Sequence, residues 1–173
     1  MKHLTLLWLV CLRHYLSMAL FRSSPASLPF HPYTLGLTLG AYLVVALVLL
    51  AGERSVNSIM MQVLIEAAIL YLVSYFMLNF MRKPERLVQT LSALFGVNLV
   101  IGFVSIPLFL ALPPSTAEQI SPLTLNVSLL ILFWNLAAIS LVFKRAFEIN
   151  TLAAGFIAIN YFLAYEFILL YLL

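Results

Sequence analysis

The stretch MMQVLIEAAILYL (residues 60–72) sets Glu66 inside an otherwise apolar run, and YFLAYEFILLYLL (161–173) does the same for Glu166. Carboxylates in such surroundings point to cation binding or proton exchange. A charged side chain at membrane depth costs at least about 2.5 kcal/mol, which makes it a functional candidate by default. Brought together, the two would not both stay ionised. Gln62 lies one helical turn from Glu66 on the same face and joins them as a candidate intramembrane polar site. Asn98, Asn135 and Asn160 form a second set, expected as a packing layer near the midplane, with Asn98, Gly102 and Ser105 spaced as a small, polar stripe. The plainer reading of both sets is that they hold helices together through hydrogen bonds to Tyr and Asn partners. The absence of any Lys, Arg or His inside the apolar runs favours it.

Other chemistries are poorly served. HExxH, GxSxG, the phosphate-binding loop and GxGxxG are all missing, and the chain has no aspartate. His3, His14 and His31 precede the long apolar runs, so no histidine-based triad can form within them. Cys11 is the single cysteine, which rules out an internal disulfide and any multi-cysteine metal site. The expectation is a protein without enzymatic activity, metal or cofactor. The net charge of +3 is too small and dispersed to suggest nucleic acid.

The elements that must position these residues follow from composition. Of 173 residues, 64% are hydrophobic and 9% charged, far from the soluble mix of about half apolar and a quarter charged. Lipid must cover what polar side chains cannot. Five stretches reach the roughly 20 residues that cross a bilayer: 33–51, 58–81, 87–112, 121–143 and 150–172. The runs are unbroken rather than alternating, so the fold class is all-α, a bundle of five transmembrane helices. Short connections make consecutive helices antiparallel neighbours. Lys2, Arg13, Arg22, Arg82, Lys83, Arg86, Lys144 and Arg145 then fall on one side, and Arg54 alone on the other. This bias predicts a cytoplasmic N-terminus and an extracytoplasmic C-terminus, while the short N-terminal helix and compact loops suit an inner-membrane protein. Glu66 and Glu166 are expected in one layer, both roughly 10–12 Å below the outer surface at 1.5 Å per residue.

Residues 1–25 form a separate region before the five-span domain of 26–173. As a helix, 2–21 gathers Lys2, His3, Arg13 and His14 on one half and Trp8, Cys11, Tyr15 and Met18 on the other. That layout predicts an amphipathic helix lying in the membrane interface. A sixth span would bury Arg13 and place Lys2 outside. RSSPASLPFHP (22–32) reads as a non-helical turn, Gly36 and Gly40 as a GxxxG in the first span, and Pro107 as a bend in the third.

RLVQTLSALFGVNLVIGFVSIPLF (86–109) and LFWNLAAISLVFKRAFEINTLAAGFIAINYFLAY (132–165) resemble the bacterial form of the Yip (Ypt/Rab-interacting protein) domain family. The shared features are a basic loop before a QTLSAL-like helix opening, a PL at its far end, a tryptophan-led span and a TLAAGF-like opening. The resemblance implies a five-span membrane domain with a cytoplasmic N-terminus, acting as a scaffold or adaptor without catalytic residues. The expected function is therefore a membrane scaffold or partner-binding subunit, its partners being the bilayer and another membrane protein or a second copy. The alternative is a small transporter or channel that uses Glu66, Glu166 and Gln62 for ion or proton coupling.

Overall fold

The computed structural model describes residues 2–28, 32–50, 55–112 and 121–172, the side chains of 2–7 and 32 excepted. Six α-helices appear in order: α1 (Lys2–Ala19), α2 (Pro32–Leu50), α3 (Val56–Phe80), α4 (Leu87–Leu110), α5 (Pro122–Phe147) and α6 (Thr151–Leu172). Among the described residues, five helices, α2 to α6, are long and apolar enough to cross a membrane. The chain is a multi-pass membrane protein of all-α class.

Helix ends are set by local chemistry. Ser55 and Ser121 accept hydrogen bonds from the backbone N–H groups of Ser58 and Thr124, capping α3 and α5, and Pro122 follows at a position where its missing N–H costs nothing. Asn150 caps α6 through Ala153 at 2.7 Å. α5 runs a turn beyond the expected 143, through Lys144 and Arg145, because its stop is Glu148 in a left-handed conformation (φ 56°). Phe21 and Arg82 end α1 and α3 in the same way (φ 65° and 57°). In each case the next N–H reaches back to a carbonyl of the last turn: Arg22 to Ser17, Lys83 to Leu78, Ile149 to Lys144. Pro107 sits inside α4 near its end, and the helix continues only to Leu110.

Consecutive spans touch one another, and α2–α4 and α3–α6 contacts close the bundle into a ring ordered α2, α4, α5, α6, α3. α4 is the most central, with half of its apolar stretch buried. Its close approach to α2 depends on Gly102, where an added Cβ would lie 2.9 Å from a Val45 methyl. Gly36 and Gly40, by contrast, have open space where a Cβ would stand and face out of the bundle. The GxxxG therefore does not serve internal packing.

One end of the bundle collects Arg82, Lys83, Arg86, Lys144 and Arg145 and is called the basic end below; the other is the far end. At the basic end Glu148 pairs with Lys83 and, at 2.7 Å, with Arg86. These contacts join the α3–α4 and α5–α6 connections. The 22–28 linker carries one 3₁₀ turn (Pro25–Ser27) and is pinned by Arg145, which donates to the carbonyls of Ser23 and Phe21. The loop 113–120, His31 and Arg54, to which the sequence assigned positions, lie outside the described residues.

α1 is the expected N-terminal helix, and it packs on the bundle. Cys11, Tyr15, Met18 and Ala19, its apolar face, are buried against α4 and α5 rather than offered to lipid. The Tyr15 ring occupies the notch left by Gly96, where a Cβ would lie 2.2 Å from it, and its hydroxyl meets Thr38 at 2.9 Å. The Trp134 indole donates to the Ala19 carbonyl at 2.8 Å. Arg13 stays exposed, Trp8 is half-buried, and His14 is within 3.4 Å of the Ser27 hydroxyl. The side chain of Lys2 is outside the described residues. Burial raises the Tyr15 phenol to about 12 and also pushes the Cys11 thiol up.

Two tests follow from this packing. A Gly96→Leu variant evicts the Tyr15 ring, so maleimide should label Cys11 at least about tenfold faster, as local opening exposes it; Gly40→Leu should leave the rate unchanged. For Glu148, hydrogen bonds from Lys83 and then Arg86 hold the carboxyl below its ordinary 4.5. A lowered folded-state pKa means its stabilisation is full above 4.5 and disappears as pH falls through the folded value. The Tm gap between wild type and Glu148→Gln should accordingly be widest near neutrality and close below 4.5.

Candidate functional site

Glu66 is the centre of the polar interior. It is 6% exposed, on the third turn of α3, and receives donors from three other helices. The Asn98 amide of α4 donates to Oε1 at 2.7 Å, the Tyr161 hydroxyl of α6 to the same atom at 3.1 Å, and the Tyr42 hydroxyl of α2 to Oε2. Asn135 of α5 donates to Asn98 Oδ1 at 2.9 Å. One connected network thus includes a side chain from every span. A second rung lies a turn away, where Gln62 donates to the Tyr165 hydroxyl at 2.7 Å.

Helix geometry explains the pairing. Gln62 and Glu66 are four apart on α3, Tyr161 and Tyr165 four apart on α6, and the helices are antiparallel, so the pairs meet as a ladder. The same register separates the two glutamates. Glu166 stands about five residues, roughly 7.5 Å at 1.5 Å rise, farther toward the far end than Glu66, and about 100° around α6 from Tyr165. It is exposed, where a shared layer was expected.

A cavity of about 860 Å³ connects them nonetheless. Glu66, Asn98 and Asn135 line its base with Tyr42, and Gln62, Ser105, Ser128 and Glu166 line its walls. Leu50, Leu112 and Thr124, near the far ends of α2, α4 and α5, line the other extreme. Among the described residues its lining contains no Lys, Arg or His.

Asn160 does not belong to this layer. It faces outward and its amide donates to the Phe156 carbonyl of its own helix at 2.8 Å. Position 158 points inward and 161 does too, which leaves 160 about 100° off the buried face. Sequence reasoning did not single out Tyr42, Tyr161 or Tyr165. The available signal was the matching four-residue spacing of polar groups on α3 and α6. Among the described residues, no cluster of three or more His, Cys or Glu could hold a metal ion.

An ionised carboxylate would accept from all three groups at its two oxygens. A carboxylic acid in the same place must donate once, so one of the tyrosine hydroxyls would have to turn from donor to acceptor. No family model, curated protein or solved structure matches this chain.

Removing Asn98 leaves both Glu66 and Asn135 short of a partner. Asn98→Leu should therefore destabilise the bundle by about 1–3 kcal/mol, the cost of an unmet buried polar group. Asn160→Leu should fall within about 0.5 kcal/mol of wild type, as an outward-facing substitution. Thermal unfolding in detergent checks both.

Proposed function

We propose that this chain binds or moves a small solute through an intramembrane cavity, with Glu66 as the group that exchanges a proton or cation. The observation that carries the reading is the placement of a buried carboxylate, wired to all five spans, at the base of an 860 Å³ cavity. Buried polar networks in membranes are expensive, and a cavity beside one gives its charge a route to change. Protonation of Glu66 re-sorts the hydroxyls of Tyr42 and Tyr161, so its charge state bears directly on how α2 and α6 sit against α3. The bias of basic residues supports a basic end facing the cytoplasm of a bacterial inner membrane.

The test is proton movement in proteoliposomes carrying a trapped pH dye. An imposed gradient should dissipate faster than in protein-free vesicles, and Glu66→Gln should bring the rate down about tenfold or more. Unchanged dissipation in Glu66→Gln sinks the reading.

A scaffold or partner-binding role is the second reading, together with kinship to Yip domain proteins and the absence of catalysis. One observation favours it: Gly36 and Gly40 lie on an outward face of α2 with room for another helix to approach. A membrane partner or second copy that co-purifies in mild detergent and is lost in Gly36→Leu would support it.

A further inference from the structure

We infer that the cavity takes a small organic cation with a hydrophobic body, an inference that rests on the carboxylate reading above. Three features of the cavity lead there.

The first is charge. Glu66 and Glu166 both line the cavity, and no described lining residue is cationic. Tyr42, Tyr161 and Asn98 supply dipoles to Glu66 and no opposite charge. A buried charge is retained where something of opposite sign compensates it. None of the described lining residues supplies that charge, and the cavity is the route by which a proton or a ligand would bring it.

The second is size. About 860 Å³ is far more than a bare ion needs and lies in the range of roughly 300–1,000 Å³ typical of drug-sized ligand sites. The third is the wall. The lining is largely aliphatic and aromatic, including Leu49, Val63, Ile101 and Phe109. Such walls take an apolar body, and the Phe109 and Tyr42 rings can also attract a cation through their faces. The carboxylates are staggered along the cavity, Glu166 nearer the far end and Glu66 at the base. A cation arriving from that end meets one negative charge before the other, and an organic anion is repelled by both.

Two probes of matched shape and opposite charge test this: tetraphenylphosphonium and tetraphenylborate, binding to the full chain in nanodiscs of zwitterionic lipid. Tetraphenylphosphonium should bind saturably, one per chain, and at least about tenfold more tightly than tetraphenylborate. Glu66→Gln should weaken it about tenfold, and Ser128→Phe, which fills the cavity without touching the carboxylate, by a similar factor. Glu166→Gln, at an exposed position that a folded bundle tolerates, should weaken it by about threefold. Equal affinity for the two probes would overturn the inference, as expected of a cavity occupied by lipid chains. So would tetraphenylphosphonium affinity unchanged in both Ser128→Phe and Glu166→Gln. The proteoliposome assay separates this inference from the reading beneath it. Charge-selective binding without Glu66-dependent proton movement leaves the cation site standing and removes the coupling. Glu66-dependent movement without charge-selective binding does the reverse.

Discussion

The structure is organised around a carboxylate that has no cationic side chain among the described residues to pair with. Lipid supplies little hydrophobic drive to bring one span against another, so packing and hydrogen bonds must do so. Glu66 concentrates those bonds. Hydrogen bonds to a charged group contribute about 1.5–3 kcal/mol each, against a desolvation cost of several kcal/mol for a buried ion. Three donors are therefore what the site needs to hold the group, and they come from α2, α4 and α6. Gly102 lets α2 and α4 close up beside this site, and Asn135 ties in the remaining span.

The five spans were legible because each requirement is one-dimensional. An apolar run must be long enough to cross lipid, and polar residues must interrupt it. Ser55, Ser121 and Asn150 then mark helix starts within a few residues of where composition changes. Glu66, Gln62, Asn98 and Asn135 were legible as interior polar groups for the same reason. What needed three dimensions was register. Counting residues from span ends puts Glu66 and Glu166 at one depth, but the Gln62–Tyr165 and Glu66–Tyr161 rungs fix how α3 and α6 slide, and that choice separates the glutamates. The tyrosines were hidden in a different way. In an apolar run a tyrosine reads as one more large side chain, and its hydroxyl gains meaning only when an acceptor is known to lie opposite.

The N-terminal helix shows the limit of amphipathic reasoning. Residue pattern identifies which face of α1 is apolar and leaves open what covers it. Here a glycine decides. Gly96 leaves a notch deep enough for the Tyr15 ring, and so the bundle rather than the bilayer receives that face. Gly36 and Gly40, equally small and better matched to a known motif, receive nothing from the described residues.

The pairing of α2 with α4 also bears on how such a chain is made. These helices are not consecutive, and α3 lies between them in sequence. During synthesis α2 enters the membrane ahead of its main neighbour, and α3 brings in Glu66 before Asn98, Asn135 or Tyr161 exists to meet it. Tyr42 is the one partner already there. The α2–α3 hairpin must therefore tolerate a half-satisfied acid until α6 arrives, and that arrival is what closes the network.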